Sequence, residues 1–570
     1  MILGIGLQAC VACSAGLDLV IAAGTVVDGS GGAPRRMDIG IKGDRIVAMG
    51  ELSRHSSRRR IDANGLVVVP GFIDAQGQSG SSLYVDGSAK SHVTQGITTE
   101  IIGESHSPVF DGPFRREALN SSNTTPNPDY LHTLEKRGIA INVGTLVPAT
   151  MAREQVMGHE NREPTPAELK TMETFVERAM RMGALGLSSA LIYPPGAFAK
   201  TPELIALAKV AAKFQGVYIS HVRGETHNLF PAVEEALQIG REAGLPVGIF
   251  HLKVGARQDW GRMRELTEKL ATADASGPRV YATMYPYTAA STSLAASLPM
   301  WVQQGGTERM LERLADPLNR QRIITEIEQG SVGFENLIRA ATFEGIQFAS
   351  APFAPDQSIV GRRVGEVARQ RGDNPWNVYF EVLVSTRGRA SAFYHMMSEE
   401  DVREGLKWRN VSIGSDSSGI RREWAIQAGI VPHPRAYGTF PRVLSKYVRE
   451  ERVLTLPEAI RRMTSLPAEQ FGIQDRGLLK EGYFADIVVL NPATVQDNAT
   501  FERPHEYPSG IVAVIVNGIV TLNGNEMTGR RAGRGLRRGD RSSTIKQTLS
   551  LARPRHESSL LNIVERIGVQ

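Results

Sequence analysis

Gln76 and Gln78 stand two residues apart at the end of an apolar run, VPGFIDAQGQS (69–79). On a strand that spacing puts both amides on one face, aimed into whatever space the strand end opens on. Other reactive side chains fall at the ends of short apolar runs further along: Glu104, Tyr193, His221, His251 with Lys253 two residues on, Tyr285, and Asp416. Two imidazoles and a carboxylate delivered by separate strands form a ligand set for Zn²⁺ that leaves one position for water. A lone buried histidine is more often a structural hydrogen bonder. Two at the ends of consecutive strands favour a metal instead. Glu104 and Asp416 each have a blander alternative as the cap of a following helix.

The elements that must position these groups follow from the pattern. Residues 17–28 (LDLVIAAGTVVD) and 37–50 (MDIGIKGDRIVAMG) cluster β-branched residues around Gly and Asp turns, and 485–490 and 512–522 repeat that grammar. The two termini are therefore expected to build one β-sandwich domain, 17–66 plus 470–538. Between them strands alternate with amphipathic helices, at 67–75, 97–102, 139–146, 184–189, 217–220, 247–250, 280–284 and 411–414. Eight such strands predict an α/β fold of the (β/α)8 TIM-barrel type over 67–469, with the reactive groups converging at the carboxyl ends of the strands. The gap before the last strand is too long for one crossover, so an inserted lid is expected at about 288–353.

Composition narrows the function classes. The chain has 570 residues, 41% hydrophobic and 22% charged, enough for several domains and a buried core. It holds no apolar run long enough for a membrane span. The formal charge of +5 equals the balance of one stretch, 528–541, with six arginines and one aspartate. Without aromatic interleaving, that stretch reads as a solvated surface and not a nucleic-acid site. Cys10 and Cys13 are the two cysteines, so no disulfide framework and no thiolate ligand elsewhere is expected. Residues 1–16 read as a leader or disordered segment and 539–570 as a tail. A basic n-region is lacking, so a cytoplasmic location is expected; LQAC (7–10) weakly resembles a lipoprotein box and makes export to the periplasm the alternative. The sequence leaves a homo-oligomer open.

One family resemblance runs through these motifs. The stretches DLVIAAGTVVDGSG, VVVPGFID, QGITTEIIGE, GLSSALIYPPGAF, YISHVRGE, FHLKVGA, MYPYTAAST, IGSD, HPRAYGTFPRVL and FERPHEYPSGIVAVIVNGIV run from 18 to 520 in family order, and the chain resembles the N-acyl-D-amino-acid deacylase branch of the metal-dependent amidohydrolases. The resemblance implies His221 and His251 as metal ligands and Asp416 as the catalytic aspartate. Glu104 lies where the family often has a cysteine ligand, with His106 a weaker substitute. Lys253, Tyr193 and Tyr285, helped by Arg435, would clamp the free carboxylate of a small-molecule substrate. Gln76 and Gln78 replace a pair of metal-binding histidines. Neutral amides are poor zinc ligands, so one Zn²⁺ per chain is expected, with the amides bonding to substrate or water. Other amides, dipeptides or cyclic amides are alternative substrates, and a catalytically degenerate binding barrel is the alternative to an enzyme.

Overall fold

A computed structural model describes residues 16–110, 130–330, 333–427 and 429–539. The leader, both cysteines and the tail beyond 539 lie outside them. Among the described residues eight parallel strands close a barrel: β1 (Phe72–Asp74), β2 (Ile97–Ile102), β3 (Asn142–Thr145, continued by Val147–Pro148), β4 (Gly186–Ala190), β5 (Val217–His221), β6 (Val247–Ile249), β7 (Val280–Met284) and β8 (Val411–Ile413). β8 returns to β1 through Ala75 N–H to Ile413 O at 3.2 Å and Gln78 N–H to Ser417 O at 2.9 Å. Every residue of β2, β5 and β7 is buried, as a parallel sheet covered on both faces requires. The outer helices follow local signals. Pro166–Arg181 starts at a capping box made by Thr165 and Glu168, with Pro166 in its first turn, and buries Met172, Phe175, Val176, Ala179 and Met180.

The termini form a β-sandwich around one core that includes Leu19, Ile21, Ile39, Val68, Ile487, Val489 and Ile515. One expected boundary moves. The apolar run 67–75 is two strands in two sheets: Val67–Pro70 pairs with Leu17–Val26 and Ile487–Leu490, and the barrel begins at Phe72. The break falls at Gly71, where a Cβ would lie 2.1 Å from Thr98 Oγ1. Hydrophobicity alone does not mark such a crossing between sheets.

The insertion also reaches beyond 353. Its antiparallel sheet joins Ala289–Ser293 and Ile346–Ser350 through a central strand at Ser391–His395. This unit has its own core of Leu294, Phe348, Tyr379, Phe380 and Tyr394, and that core takes in Tyr285 and Tyr287 from the barrel mouth.

The arginine-rich stretch is not a free solvated surface. Gly535–Leu536 adds a parallel strand beside β3, and Arg534 pairs with Asp44 at 2.8 Å. Arg538 donates to the carbonyls of Phe214 (2.8 Å), Leu185 (3.2 Å), Phe471 (3.3 Å) and Gln215. The stretch is a strap across the amino ends of the strands, where β3 and β4 diverge.

Candidate active site

Three strands deliver one cluster. Glu104 follows β2, His221 ends β5 and His251 follows β6; Glu104 Oε1 lies 2.9 Å from His221 Nδ1 and 3.2 Å from His251 Nε2, and the two nitrogens are 3.0 Å apart. All three residues are buried. A tetrahedral zinc site with bonds near 2.0–2.1 Å has ligand atoms about 3.3 Å apart, so the donor set fits a divalent ion in both type and spacing. Among the described residues Glu104 caps no helix, and His106 is exposed and stands outside the triad. Burial pushes Glu104 up, but His251 and His221 outweigh it and hold its carboxyl well below the usual range. Burial and Lys253 push His251 down, yet the carboxylates of Glu225 and Glu104 prevail and bring it to about 9. The raised His251 reports the carboxylates of Glu225 and Glu104 around it, the surroundings a cation needs, while the lowered Glu104 reports the imidazoles it faces.

Local backbone places these groups. Gly103 turns at φ +99°, where a Cβ would come 2.5 Å from Leu146 O, so only glycine lets Glu104 swing inward. His251 (φ +35°) and Asp416 (φ +47°) hold left-handed conformations at the strand ends. Such conformations cost about 1–3 kcal/mol each and cluster where function requires them.

Gln76 and Gln78 are not aimed at open space. Both amide nitrogens donate to Glu104 Oε2, at 2.7 and 2.8 Å, and Gln78 Nε2 also reaches Asp416 Oδ1 at 3.1 Å. Gln76 Oε1 accepts from Thr283 Oγ1 at 2.6 Å and His251 N–H at 3.2 Å. Where the sequence suggested bonds to substrate or water, the structure shows bonds to Glu104 and Asp416: a buried carboxylate draws amide N–H groups to itself. Asp416 Oδ2 lies 3.0 Å from Arg435 Nη2. The Arg435 guanidinium sits 4.6 Å from the Tyr285 ring, and its Nε and Nη1 are buried with no hydrogen-bond partner among the described residues. Tyr193 lies edge-on to His221 at 5.3 Å and bonds Thr292 Oγ1 at 2.7 Å. Burial pushes the Tyr193 and Tyr285 phenols well above their usual range, so both remain donors.

The family model described as "Amidohydrolase family" matches residues 59–522. The chain belongs to the amidohydrolase family. A D-aminoacylase from Alcaligenes xylosoxydans xylosoxydans is 36% identical over 529 residues, covering 91% of this chain and 98% of the relative. Among solved structures, the N-acyl-D-glutamate deacylase of Bordetella bronchiseptica, complexed with zinc and a phosphonate mimic of the tetrahedral intermediate, has 32% identity and a TM-score of 0.75 over 92% of this chain and all of that one. A D-aminoacylase structure described by one-metal activation and second-metal attenuation of a binuclear center has 34% identity and a TM-score of 0.74 over the same shares. The resemblance to the D-aminoacylase branch, the barrel with its β-sandwich and the assignment as a hydrolase of amide bonds are borne out.

In this amidohydrolase the sequence reading missed Glu225. Its Oε1 lies 2.6 Å from Lys253 Nζ and 2.8 Å from His251 Nδ1, and its Oε2 is 3.7 Å from His221 Nε2. It bonds the outer nitrogen of His251, the place from which a carboxylate orients a ligating histidine, and lies within ion-pair but not hydrogen-bond reach of the outer nitrogen of His221. The signal available was an acid four residues after His221 in YISHVRGE. Lys253 is accordingly drawn to Glu225 and lies 2.7 Å from His251 Nδ1. Asp74 was missed too. It accepts from Ser415 N–H at 2.8 Å, Ser415 Oγ at 2.5 Å and Gln76 N–H at 3.1 Å, tying the end of β1 to the loop that carries Asp416. No helix among the described residues is long and apolar enough to cross a membrane.

Proposed function

We propose that this amidohydrolase is a zinc-dependent deacylase of N-acyl-D-amino acids that works with one metal ion per chain. The observation that carries the reading is the convergence of Glu104 Oε1, His221 Nδ1 and His251 Nε2 within 3.2 Å of one another, with Asp416 linked to the same carboxylate through the Gln78 amide. These three side chains would hold the ion. When bound, it supplies a water of lowered pKa and polarises the amide carbonyl.

The remaining work falls to the chain's own groups. Asp416 takes the proton of the attacking water and returns it to the departing nitrogen, the reciprocal role that amide cleavage needs. Gln78 and Arg435 hold its two oxygens in place. The open donors of Arg435 receive the substrate carboxylate, since a guanidinium grips a carboxylate with two parallel bonds. Lys253, held by Glu225, has further N–H groups for the same anion, and the phenols of Tyr193 and Tyr285 border it. The D configuration rests on the relatives. The single ion rests on the glutamines: their amides already satisfy Glu104 Oε2 and Asp416 Oδ1, the oxygens that a second cation would need.

The test is hydrolysis of N-acetyl derivatives of D- and L-amino acids, with elemental analysis of the same preparation. Cleavage of the D series, dependence on a free carboxylate and about one zinc per chain are expected. Zinc-loaded protein that cleaves none of them, or that cleaves carboxylate-blocked substrates equally well, overturns the reading.

A further inference from the structure

The barrel insertion sends one acid to the edge of the metal cluster. Glu335, almost wholly buried, precedes the short helix Leu337–Ala341. Its Oε2 accepts the backbone N–H of Glu225 at 2.8 Å. On the other side, the Glu225 carbonyl accepts Gly255 N–H at 2.8 Å, from the loop that carries His251 and Lys253. The residue whose carboxylate faces both imidazoles is therefore held by its backbone at two points, one in the barrel and one in the insertion.

The approach is close because Gly224 has no side chain: a Cβ there would lie 3.0 Å from Asn228 Cβ and 3.3 Å from Glu335 Oε2. Glu335 is itself held from behind. Asn336 caps the helix through Arg339 N–H at 3.0 Å and donates to Ile327 O at 2.8 Å. A carboxylate buried at the cost of leaving Oε1 without a partner among the described residues is expensive for a cover that does nothing else. We infer that Glu335 is a positioning residue: through the Glu225 backbone it sets the carboxylate that orients His251 and faces His221, so that the insertion completes the metal site. The inference rests on the metal reading above and deepens it.

The experiment measures zinc affinity by competition with a chromophoric chelator, and the visible spectrum of the Co²⁺-substituted protein, for the full-length wild type and for Glu335→Gln, Glu335→Asp and Glu335→Ala. Loss of a group that orients a ligating histidine weakens metal binding by about 10–100-fold. Ala, and Asp, whose carboxylate is withdrawn by about 1.5 Å, are expected to lose affinity in that range, to shift the cobalt bands and to lower kcat more than they raise KM. Gln keeps an acceptor oxygen at the same reach and is expected to restore wild-type affinity to within about 3-fold. If Ala does not fold, Asp carries the comparison. Wild-type affinity and cobalt bands in the Asp variant, or a Gln variant as weak as Asp, overturn the inference. A wild type that binds neither zinc nor cobalt overturns the metal reading itself, which separates the two failures.

Discussion

In the proposed mechanism Asp416 accepts a proton without holding the ion, and that separates its loss from loss of a ligand. Asp416→Asn keeps the shape but cannot take up the proton. Turnover should fall by at least roughly 10²- to 10⁴-fold with the zinc content of the wild type, whereas His221→Ala should lose both. An Asp416→Asn protein as active as the parent would remove the proposed base. The glutamines make a second test at this scale. Gln76→His with Gln78→His replaces two N–H donors to Glu104 by imidazoles that can ligate. Metal content should rise toward two per chain, and excess zinc should slow the double variant more than the parent. An unchanged metal count would mean that these positions cannot form a second site. The three residues proposed as ligands could be picked out in the sequence because each lies at the end of an apolar run. Glu225 was not, because an acid four residues beyond a histidine has many ordinary uses and its partners Lys253 and His251 come from another strand end.

At the scale of elements, the strap 530–538 explains where the arginines go. Arg538 satisfies carbonyls of Phe214, Leu185, Phe471 and Gln215 at the end of the barrel opposite the site. Arg538→Ala leaves several of them unmet, at about 1–3 kcal/mol for a buried group. The thermal midpoint should drop by a few degrees while kcat at low temperature stays at the wild-type value; a midpoint equal to the parent's would make the strap decorative. Charge density is readable in a sequence, but whether arginines meet solvent or backbone carbonyls depends on a surface assembled from Leu185, Phe214 and Phe471, far away in the chain. The insertion makes the same point. Its existence followed from the length between β7 and β8, yet its extent to Ser391–His395 depends on a central strand that pairs with partners about 40 and 100 residues away.

For the whole molecule, the proposed ion would join β2, β5 and β6, whose three side chains meet only in the folded chain. Metal that binds the native state alone adds stability by mass action, about 2.7 kcal/mol when free ion is 100-fold above its dissociation constant. Stripping zinc with a chelator should therefore lower the thermal midpoint, and restoring zinc should recover it; a midpoint indifferent to both would exclude ligation by this cluster. The sequence by itself determined the architecture, since period-2 apolar runs alternating with helical patterns admit few layered solutions, and it determined the types of the chemical groups. Tertiary structure decided their relations. It turned two glutamines from candidate substrate contacts into donors for Glu104 and Asp416, bound Lys253 to Glu225, and divided the run 67–75 between two sheets. These depend on distances between residues far apart in the chain, 338 positions for Gln78 and Asp416 and more for the strand pairing of Val67 with Leu490. Local spacing carries no information about such distances until the barrel closes and brings its strand ends to one place.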